Sequence, residues 1–334
     1  GYGSRDRVFL MGRVFRQPGF GASWREDRLR RDLIDLLRRL LRKPIVGASV
    51  RVRYKDTDTL VSSDRHGFFR VDMALGKMPS DVCWHQVQLS LDNPVDDRAT
   101  TIGEFYTPPP DARYGVISDI DDTVVYTGVA NTFMMMWRLF AQGAESRVVF
   151  PGVPALYQAF HEGREGGASN PLFYVSRGPW SIYDVLVEVF HRNRIPGGPI
   201  LILREWGMKR GSVLPRRARD HKLDAIRHIL AIYPDMQFVL VGDSGQHDPE
   251  TYHRVLRENP GRILSIYIRD VSYTPERTQA IAALADETRT AGCDLTLAAD
   301  NIAMAEHAAS QALIADSAVA AVREEQCEKE ERDN

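Results

Sequence analysis

The amino-acid sequence predicts an α/β protein in which a parallel sheet covered by helices follows a smaller antiparallel β-sandwich module. Two observations support this fold class. Apolar and polar residues alternate with a period of two through much of the first 110 residues, whereas short apolar runs alternate with helical segments from residue 111 onward. The Pro-rich stretch YTPPPDARYG separates the two patterns, and we therefore expect a domain boundary near residues 107–113.

Residues 1–110 are expected to form a β-rich accessory module with one amphipathic helix. The strand candidates are RVFLMGRVF, ASVRVRYK, TLVSSDRHGFFRVDM and WHQVQLSL. The helix is predicted over about 23–43, because Ser23 and Glu26 have the spacing of a capping box and leucines then repeat on one helical face. Pro44 ends this pattern. The alternation within the strand candidates favours an antiparallel sandwich with one buried face per strand.

Residues 111–325 are expected to form the second domain. Its strand candidates are GVISDI, PLFYVS, PILILRE, QFVLVGD and RILSIYIRDV, and the intervening segments have helical periodicity. Such an alternation predicts a parallel sheet with helices on both faces. Further helix is predicted from Thr274, with CDLTLAAD as a short late strand. The last residues, 326–334, form a charged tail that we expect to fray.

The bulk composition is that of an ordinary globular protein. The chain has 334 residues, of which 43% are hydrophobic and 26% are charged, and its net charge of −2 gives no basic field for nucleic acid. The three cysteines are too few and too dispersed for a disulfide framework or a zinc site. We therefore expect a cytoplasmic protein that does not bind nucleic acid. The sequence contains no apolar run of the ~20 residues that span a bilayer.

Reactive side chains occur where the predicted strands end or the next helix begins. Ligands of parallel α/β sheets bind beyond the carboxyl ends of the strands, so these side chains are the candidate site. They are Asp119, Asp121, Ser176, Lys222, Asp243 and Asp248. Two carboxylates at a buried strand end are costly unless a cation or a reaction requires them.

The order of these residues resembles that of the haloacid dehalogenase superfamily of phosphohydrolases. VISDIDDT matches its first motif, Ser176 the second, Lys222 the third, and the acidic pair in GDSGQHD the fourth. Each residue alone has an ordinary structural explanation, such as a helix cap, a surface lysine or a turn. The conjunction favours the resemblance, which implies a Rossmann-like parallel sheet of haloacid dehalogenase type.

The chemistry of a phosphate monoester explains why these residue types occur together. The ester is anionic, and a Mg²⁺ ion held by carboxylates offsets its repulsion of a carboxylate nucleophile. Asp119 is the candidate nucleophile and Asp121 the general acid and base. Ser176 and Lys222 are candidates for holding the phosphoryl oxygens. The resemblance implies that Asp119, the Asp121 carbonyl, Asp243 and Asp248 serve the metal.

Longer sequence words narrow the resemblance. YGVISDIDDTVVYTGV, FYVSRGPWSIYDVL and GDSGQHDPETY are similar to the catalytic domains of actin-patch-type phosphatidate phosphatases, which are related to lipins. The similarity covers residues 113–275 and implies Mg²⁺-dependent hydrolysis of phosphatidate to diacylglycerol and phosphate. It also marks Thr123, Arg177 and Gly178 as candidate substrate-binding residues. Arg177 departs from the pattern, in which a small residue is expected after the serine.

Two stretches bear on a lipid substrate. NTFMMMWRLFAQG, at 131–143, lies in a small cap insert predicted over about 126–149, and it either receives acyl chains or packs as an amphipathic helix. The basic stretch 204–222 either docks on an anionic membrane surface or is a solvated loop. The leading function is thus a phosphatidate phosphatase that contacts membranes peripherally. A phosphatase of a soluble phosphomonoester and a phosphatidate-binding module without turnover remain alternatives, although Asp119 and Asp121 together favour an enzyme.

Overall fold

A computed structural model of the chain describes all residues except 17–41, 77, 78, 80, 81, 93–98, 127–148, 179, 203–217, 273 and 334. The described residues form two compact units, Gly1–Pro110 and Asp111–Asn334. The amphipathic helix predicted over about 23–43 and the cap insert predicted over about 126–149 lie outside the described residues except at their edges.

The first unit contains a seven-stranded sheet and a two-stranded ribbon within its described part. The strands are β1 (Tyr2–Gly3), β2 (Arg7–Arg13), β3 (Phe15–Arg16), β4 (Lys43–Pro44), β5 (Ser49–Tyr54), β6 (Thr57–Ser62), β7 (Phe68–Ala74), β8 (Trp84–Leu91) and β9 (Thr100–Tyr106). The order in the large sheet is β6-β5-β8-β9-β1-β2-β7, and β3 pairs with β4. The alternating residues Val8, Leu10, Val50, Val52, Val87 and Phe105 are buried in its core.

The prediction of an antiparallel sandwich was wrong for this unit. The strands form one mixed sheet, because β1 pairs in parallel with β9 and antiparallel with β2. Tyr2 lies opposite Tyr106, and the Tyr106 N–H donates to the Gly1 carbonyl over 3.0 Å. The first residues therefore join two groups of strands, and the edge strands β6 and β7 also contact each other, so the sheet is nearly closed. A period of two identifies the buried face of a strand but not its partner.

The second unit is built on a six-stranded parallel sheet. Its strands are β10 (Gly115–Asp119), β11 (Leu172–Ser176), β12 (Ile200–Ile202), β13 (Phe238–Asp243), β14 (Ile263–Arg269) and β15 (Asp294–Ala298). The helices in its described part are α1 (Val153–Glu162), α2 (Tyr183–Arg192), α3 (Ala218–Ile232), α4 (Asp248–Glu258), α5 (Pro275–Thr290), α6 (Asn301–Ser310) and α7 (Asp316–Asp333), and a 3₁₀ turn (Trp180–Ile182) precedes α2. None of the helices in this described part is both long and apolar enough to cross a membrane.

The order of the parallel strands locates a ligand crevice. It is β12-β11-β10-β13-β14-β15, and every pairing is parallel. The chain therefore starts in the middle of the sheet, builds outward to one edge, and returns to build the other edge. The direction reverses between β10 and β13, where crossover connections leave toward opposite sides and open a crevice at the carboxyl ends.

Helices cover both faces of this sheet, as the continuous apolar strands require. Val116, Tyr174 and Val241 pack with α1, α2, α6 and α7 in one core cluster. Phe173 points to the opposite face, because successive side chains of a strand alternate, and its ring lies 5.3 Å from that of Tyr233 at the end of α3. α4 packs beside α3 and contacts β13 and β14. The alternation of strands and helices predicted from the sequence is thus confirmed as an α/β unit.

The charged end of the chain differs from the frayed tail that was expected for 326–334. α7 continues through this stretch and packs against α1. Val322 is fully buried, and a Glu325 carboxylate oxygen accepts a 2.7 Å hydrogen bond from the Ala155 N–H in the first turn of α1. A carboxylate at a helix N-terminus satisfies a free N–H and interacts favourably with the helix dipole. This contact connects the start of α1 to α7, which continues through the charged residues 326–333.

The burial of Val322 predicts that α7 contributes to the stability of the second unit. Val322→Ala removes two buried methyl equivalents, and we expect it to lower the free energy of unfolding by about 2 kcal/mol. The matched control is Val187→Ala, at a helical position that is 45% exposed. Urea denaturation of both variants checks this prediction. Equal midpoints for the two variants would show that α7 does not pack on the core.

Candidate active site

Two aspartates end neighbouring strands at the point where the sheet reverses direction. Asp119 is the last residue of β10 and Asp243 is the last residue of β13. The two strands are paired in parallel, so their carboxyl ends meet at the same edge. Both side chains are fully buried. The fold therefore brings together two carboxylates that are more than a hundred residues apart in the sequence.

A third carboxylate completes an acidic triad. Asp248 is the first residue of α4, and its Oδ2 accepts a 3.2 Å hydrogen bond from the Asp243 N–H. One carboxylate oxygen from each of Asp119, Asp243 and Asp248 lies within 4.8 Å of the other two, and all three residues are buried. Such a group of hard oxygen donors suits a divalent cation such as Mg²⁺.

Lys222 supplies positive charge to the triad. It lies near the start of α3, where its ammonium is almost fully buried, 2.6 Å from Asp119 Oδ1, and also paired with Asp248. Burial alone lowers the pKa of Lys222, but the charges of Asp119 and Asp248 outweigh burial and raise it above its ordinary value. The two carboxylates therefore favour the charged ammonium form of Lys222.

Asp121 faces the end of the neighbouring strand β11. Its Oδ2 accepts hydrogen bonds of 3.1 Å from the Ser176 hydroxyl and 3.1 Å from the Arg177 N–H. The Gly178 N–H donates to Ser176 Oγ over 3.0 Å. The structure thus brings together the candidate acid and base Asp121 with three residues that were predicted to contact the substrate.

The backbone at Gly178 passes too close to its surroundings for a side chain. A Cβ atom there would lie 2.3 Å from Ile182 Cδ1 and 3.1 Å from Ser176 Oγ. The Ser176 hydroxyl and the Arg177 N–H converge on Asp121 Oδ2, and the Gly178 N–H holds Ser176 Oγ from behind. Convergent donors of this kind form a small anion-binding cradle.

Burial shifts the acidities of the carboxylates toward the protonated form. Desolvation raises the pKa of Asp119 well above its usual range, with Lys222 opposing the shift and the other carboxylates adding to it. Desolvation also raises the pKa of Asp121, although the hydrogen bonds from Arg177 and Ser176 oppose it. The pKa of Asp243 is raised to about 7, by burial first and by the charge of Asp248 second. When Asp119, Asp121 and Asp243 are ionised, the positive charge around them is too small to offset the cost of burying their negative charges.

Unpartnered oxygens support the fit to a cation. Asp119 Oδ2 and Asp243 Oδ2 are buried and make no hydrogen bond to any residue that the structure describes. A buried carboxylate oxygen without a donor is costly, and a hard divalent cation held by these carboxylates would offset that cost. Asp119, Asp243 and Asp248 therefore fit a divalent metal such as the predicted Mg²⁺. The prediction that the Asp121 carbonyl is also a metal ligand stays a prediction.

Thr123 occupies a more enclosed position than the other predicted residues. It is almost fully buried, and its hydroxyl makes no hydrogen bond within the described ranges. Its carbonyl accepts a 3.3 Å hydrogen bond from Arg269 Nε at the end of β14. Arg269 is buried and also lies over the Phe150 ring at 4.2 Å. Sequence reasoning missed Arg269, although a polar residue at a strand end was the signal applied elsewhere.

Gly242 is a second residue that sequence reasoning missed. A Cβ atom at this position would lie 2.4 Å from Asp248 Oδ2 and 2.8 Å from the Tyr252 ring. The glycine therefore allows the first turn of α4 to approach β13 closely enough for Asp248 to join the triad. A glycine before a strand-end aspartate carries no local sequence signal for this contact.

Two predicted lipid-contacting stretches cannot be placed. The Met-rich stretch 131–143 and residues 203–217 of the basic stretch lie outside the described residues. Lys222, the last residue of the basic stretch 204–222, is described by the structure, and it is buried beside the triad rather than exposed.

Comparisons with known proteins agree with the position of the site. Residues 114–270 match the family described as phosphatidate phosphatase APP1, catalytic domain. Phosphatidate phosphatase APP1 of Saccharomyces cerevisiae is 34% identical over 196 residues, which cover 58% of this chain and 32% of the yeast protein. The uncharacterized protein C29B5.04c of Schizosaccharomyces pombe is 29% identical over 159 residues, which cover 47% of this chain and 25% of that protein.

The chain thus spans about a third or less of the length of these curated relatives. Among solved structures, the PilB minor pilin from Streptococcus sanguinis aligns over 76% of this chain and 83% of its own, at 8% identity and a TM-score of 0.27. A TM-score this low supports no argument about the fold.

The fold and the site define an α/β protein with a buried acidic centre at the reversal point of a parallel sheet. Within this class, residues 114–270 are similar to the catalytic domains of APP1-type phosphatidate phosphatases. The resemblance predicted from the sequence is therefore confirmed over this segment, which contains every predicted site residue.

The close approach of Asp248 to Gly242 predicts that a side chain at position 242 would disturb the acidic triad and weaken metal binding. Gly242→Ala forces Asp248 away from Asp243, and we expect about tenfold weaker binding of Mg²⁺, because displacing a ligand support typically has effects of that size. Gly197→Ala is the control, since no atom lies within 4 Å of the added Cβ. Calorimetric titration of Mg²⁺ into both variants measures the effect. Unchanged binding in Gly242→Ala would place the cation elsewhere.

The raised pKa of Asp243 predicts a pH-dependent stability in the absence of metal. A carboxyl whose folded pKa exceeds its unfolded pKa destabilises the folded state as pH rises between the two values, here from about 4 to about 7. Asn cannot ionise, so in EDTA the Tm of Asp243→Asn should exceed that of the wild type by a margin that grows from pH 5 to pH 8.

Asp286→Asn is the control for this measurement, because the Asp286 side chain is 76% exposed. Saturating Mg²⁺ should remove or reverse the advantage of Asp243→Asn, since a ligand of the folded state stabilises it. A margin that is independent of pH would contradict the assigned shift.

Proposed function

We propose that this chain is a Mg²⁺-dependent phosphatidate phosphatase that hydrolyses phosphatidate to diacylglycerol and phosphate through an aspartyl-phosphate on Asp119. The observation that carries the proposal is the buried triad of Asp119, Asp243 and Asp248, whose ligand oxygens lie within 4.8 Å of one another. This triad lies inside the segment that matches the phosphatidate phosphatase APP1 catalytic domain. The name of the yeast relative supports the substrate.

The arrangement of the site supports a haloacid dehalogenase type of phosphatase. Asp119 and Asp121, Ser176, Lys222, and the pair Asp243 and Asp248 follow one another along the chain in that order. Hydrogen bonds and ion pairs connect them at the carboxyl edge of one parallel sheet. The order alone is a sequence pattern, and these contacts support the proposal that its residues form one site.

Asp119, Asp243 and Asp248 would hold Mg²⁺. When bound, the cation offsets the negative charge of the carboxylates and the phosphate. Lys222 contributes a further positive charge to Asp119 and Asp248 from the protein itself. These charges allow an anionic nucleophile to approach an anionic ester.

Asp119 is proposed as the nucleophile. Its Oδ1 lies 2.6 Å from the Lys222 ammonium, and its Oδ2 has no described hydrogen-bond partner; with one oxygen held by the cation, the other is left to attack phosphorus. A bond forms between a carboxylate oxygen of Asp119 and phosphorus while the bond from phosphorus to the glycerol oxygen breaks. The backbone of β10 is buried on both sides, so the nucleophile is held at a fixed position.

Asp121 is proposed as the general acid and then the general base. It donates a proton to the leaving glycerol oxygen, and it later takes a proton from the water that attacks the aspartyl-phosphate. Burial raises the pKa of Asp121, which keeps the carboxyl protonated at a higher pH than a solvated aspartate would be. The hydrogen bonds from Ser176 and the Arg177 N–H fix its position.

The phosphoryl oxygens are proposed to bind in the cradle at the end of β11. The Ser176 hydroxyl and the Arg177 N–H converge there on Asp121 Oδ2, and the Gly178 N–H donates to Ser176 Oγ. These donors can stabilise charge that develops on the oxygens in the transition state. The buried hydroxyl of Thr123, which has no described hydrogen-bond partner, is proposed to donate to the phosphate as well.

Phosphatidate is a membrane lipid, so the proposal includes contact with an anionic membrane surface from the cytoplasm. The basic residues in 204–222 and the apolar residues in 131–143 support such contact by composition. The net charge of −2 means that attraction to anionic lipid must come from a local basic patch.

The central test of this proposal compares two substrates in wild type and Asp119→Asn. Phosphate release is measured with Mg²⁺ from phosphatidate in detergent micelles and from p-nitrophenyl phosphate. We expect release from phosphatidate and a loss of at least about 10³-fold in Asp119→Asn, as when other covalent nucleophiles are removed. EDTA should abolish release, and added Mg²⁺ should restore it.

The matched control is Asp122→Asn, which removes the neighbouring carboxylate that has no assigned catalytic role. Release from p-nitrophenyl phosphate alone would retain the mechanism and reject the lipid substrate. Binding of phosphatidate without release from either ester would instead indicate a lipid-binding module that does not catalyse hydrolysis.

A further inference from the structure

The loop 244–247 connects two members of the acidic triad. It runs from Asp243 at the end of β13 to Asp248 at the start of α4. Within it the Gln246 N–H donates to Asp243 Oδ1 over 2.9 Å, and the Asp243 N–H in turn donates to Asp248 Oδ2 over 3.2 Å. The conformation of this loop therefore determines the orientation of both carboxylates.

Arg277 holds this loop from outside the site. Its Nε donates to the Ser244 carbonyl over 2.8 Å, and its Nη2 donates to the Gln246 carbonyl over 2.5 Å. The same guanidinium forms a bidentate pair with Glu250 in the first turn of α4, with Nη2 3.1 Å from Oε2. One side chain thus contacts the start of the loop, its middle, and the helix that follows it.

The guanidinium group is well suited to this arrangement. It is planar and permanently charged, and it presents several donors in a fixed geometry. A lysine has one ammonium and could not contact both carbonyls and the Glu250 carboxylate with the same geometry. The Arg277 and Glu250 side chains are only 21% and 29% exposed, so solvent screens the pair less than a surface pair.

A second set of contacts connects the same loop to the chain segment that leads to Arg277. Ser244 Oγ accepts hydrogen bonds from the Val271 N–H over 2.8 Å and the Ser272 N–H over 2.9 Å. It also donates to Asp270 Oδ1 over 3.1 Å. The start of the loop is therefore held by residues 270–272 as well as by Arg277.

We propose that Arg277 is a positioning residue for the acidic centre, and that Val271, Ser272 and Arg277 complete a site whose other parts lie within 114–270. These residues follow the segment that matches the family. Arg277 acts through the loop: it holds Gln246 so that its N–H orients Asp243, and it holds Glu250 so that α4 presents Asp248. The reaction that the centre performs rests on the proposed function, whereas the positioning itself does not.

Arg277→Met removes the guanidinium while keeping an unbranched side chain. Arg254→Met is the matched control, because Arg254 forms an ion pair with Glu258 on the same helix and contacts neither the loop nor the triad among the described residues. Glu250→Gln separates the two parts of the clamp, since it weakens the pair with α4 and leaves the bonds to the carbonyls of Ser244 and Gln246 intact. Arg277→Lys retains the positive charge but lacks the planar guanidinium group that contacts several acceptors at once.

The first measurement is amide hydrogen exchange in EDTA over the peptide containing 243–248. In Arg277→Met, the amide hydrogens of this peptide should exchange at least about tenfold faster than in the wild type. In Arg254→Met, their exchange rate should match that of the wild type. The second measurement is the binding of Mn²⁺, followed by electron paramagnetic resonance at a temperature where all variants are folded. We expect about tenfold weaker binding in Arg277→Met, as for residues that orient metal ligands, and an intermediate loss in Arg277→Lys and in Glu250→Gln.

The outcomes separate this proposal from the proposed function. Wild-type exchange and wild-type Mn²⁺ affinity in Arg277→Met would overturn the positioning role, whatever the activity. Faster exchange and weaker Mn²⁺ binding in a protein whose wild type releases no phosphate would support the positioning role and reject the phosphatase. If Arg277→Met does not fold, Arg277→Lys and Glu250→Gln carry the test, and wild-type values in both would overturn the proposal.

Discussion

The ammonium group of Lys222 lies between the carboxylates of Asp119 and Asp248 in a part of the protein from which solvent is almost excluded. Asp243 brings a third carboxylate oxygen within 4.8 Å of the oxygens of these two. Lys222 contacts two of the three carboxylates, so the buried cluster retains negative charge when it is ionised. Much of the second unit can be understood as the framework that holds this charge in place.

The framework takes each charged group from a different element. Asp119 comes from β10, Asp243 from β13, Asp248 from α4 and Lys222 from α3, so no local segment could form the cluster alone. The reversal of strand order between β10 and β13 gives the cluster its location. Asp122, next to the cluster, has a left-handed φ of 57°, which is uncommon for a residue other than glycine. A divalent cation would offset the remaining charge, which connects the cost of the cluster to its proposed use.

The sequence was informative where a local rule applies. Apolar runs that alternate with helical periodicity predicted the parallel sheet, and the rule about strand ends then selected Asp119 and Asp243, which the structure places side by side. Contacts between distant residues were not predictable in this way. Gly242 matters only because Asp248 packs against it, and the pairing of β1 with β9 depends on a partner a hundred residues away. The packing of α7 on α1 likewise joins segments more than 150 residues apart, which no local pattern indicates.

The account depends most on the claim that Asp119 is a nucleophile held beside a divalent cation. The direct measurement is acid quenching of the enzyme during turnover with Mg²⁺ and phosphatidate, followed by mass spectrometry of the peptide that contains Asp119. The account predicts one added phosphoryl group on Asp119, released by hydroxylamine as expected of an acyl phosphate, and absent in EDTA. Turnover without any phosphorylated Asp119 peptide, or with the phosphoryl group on another residue, would contradict it.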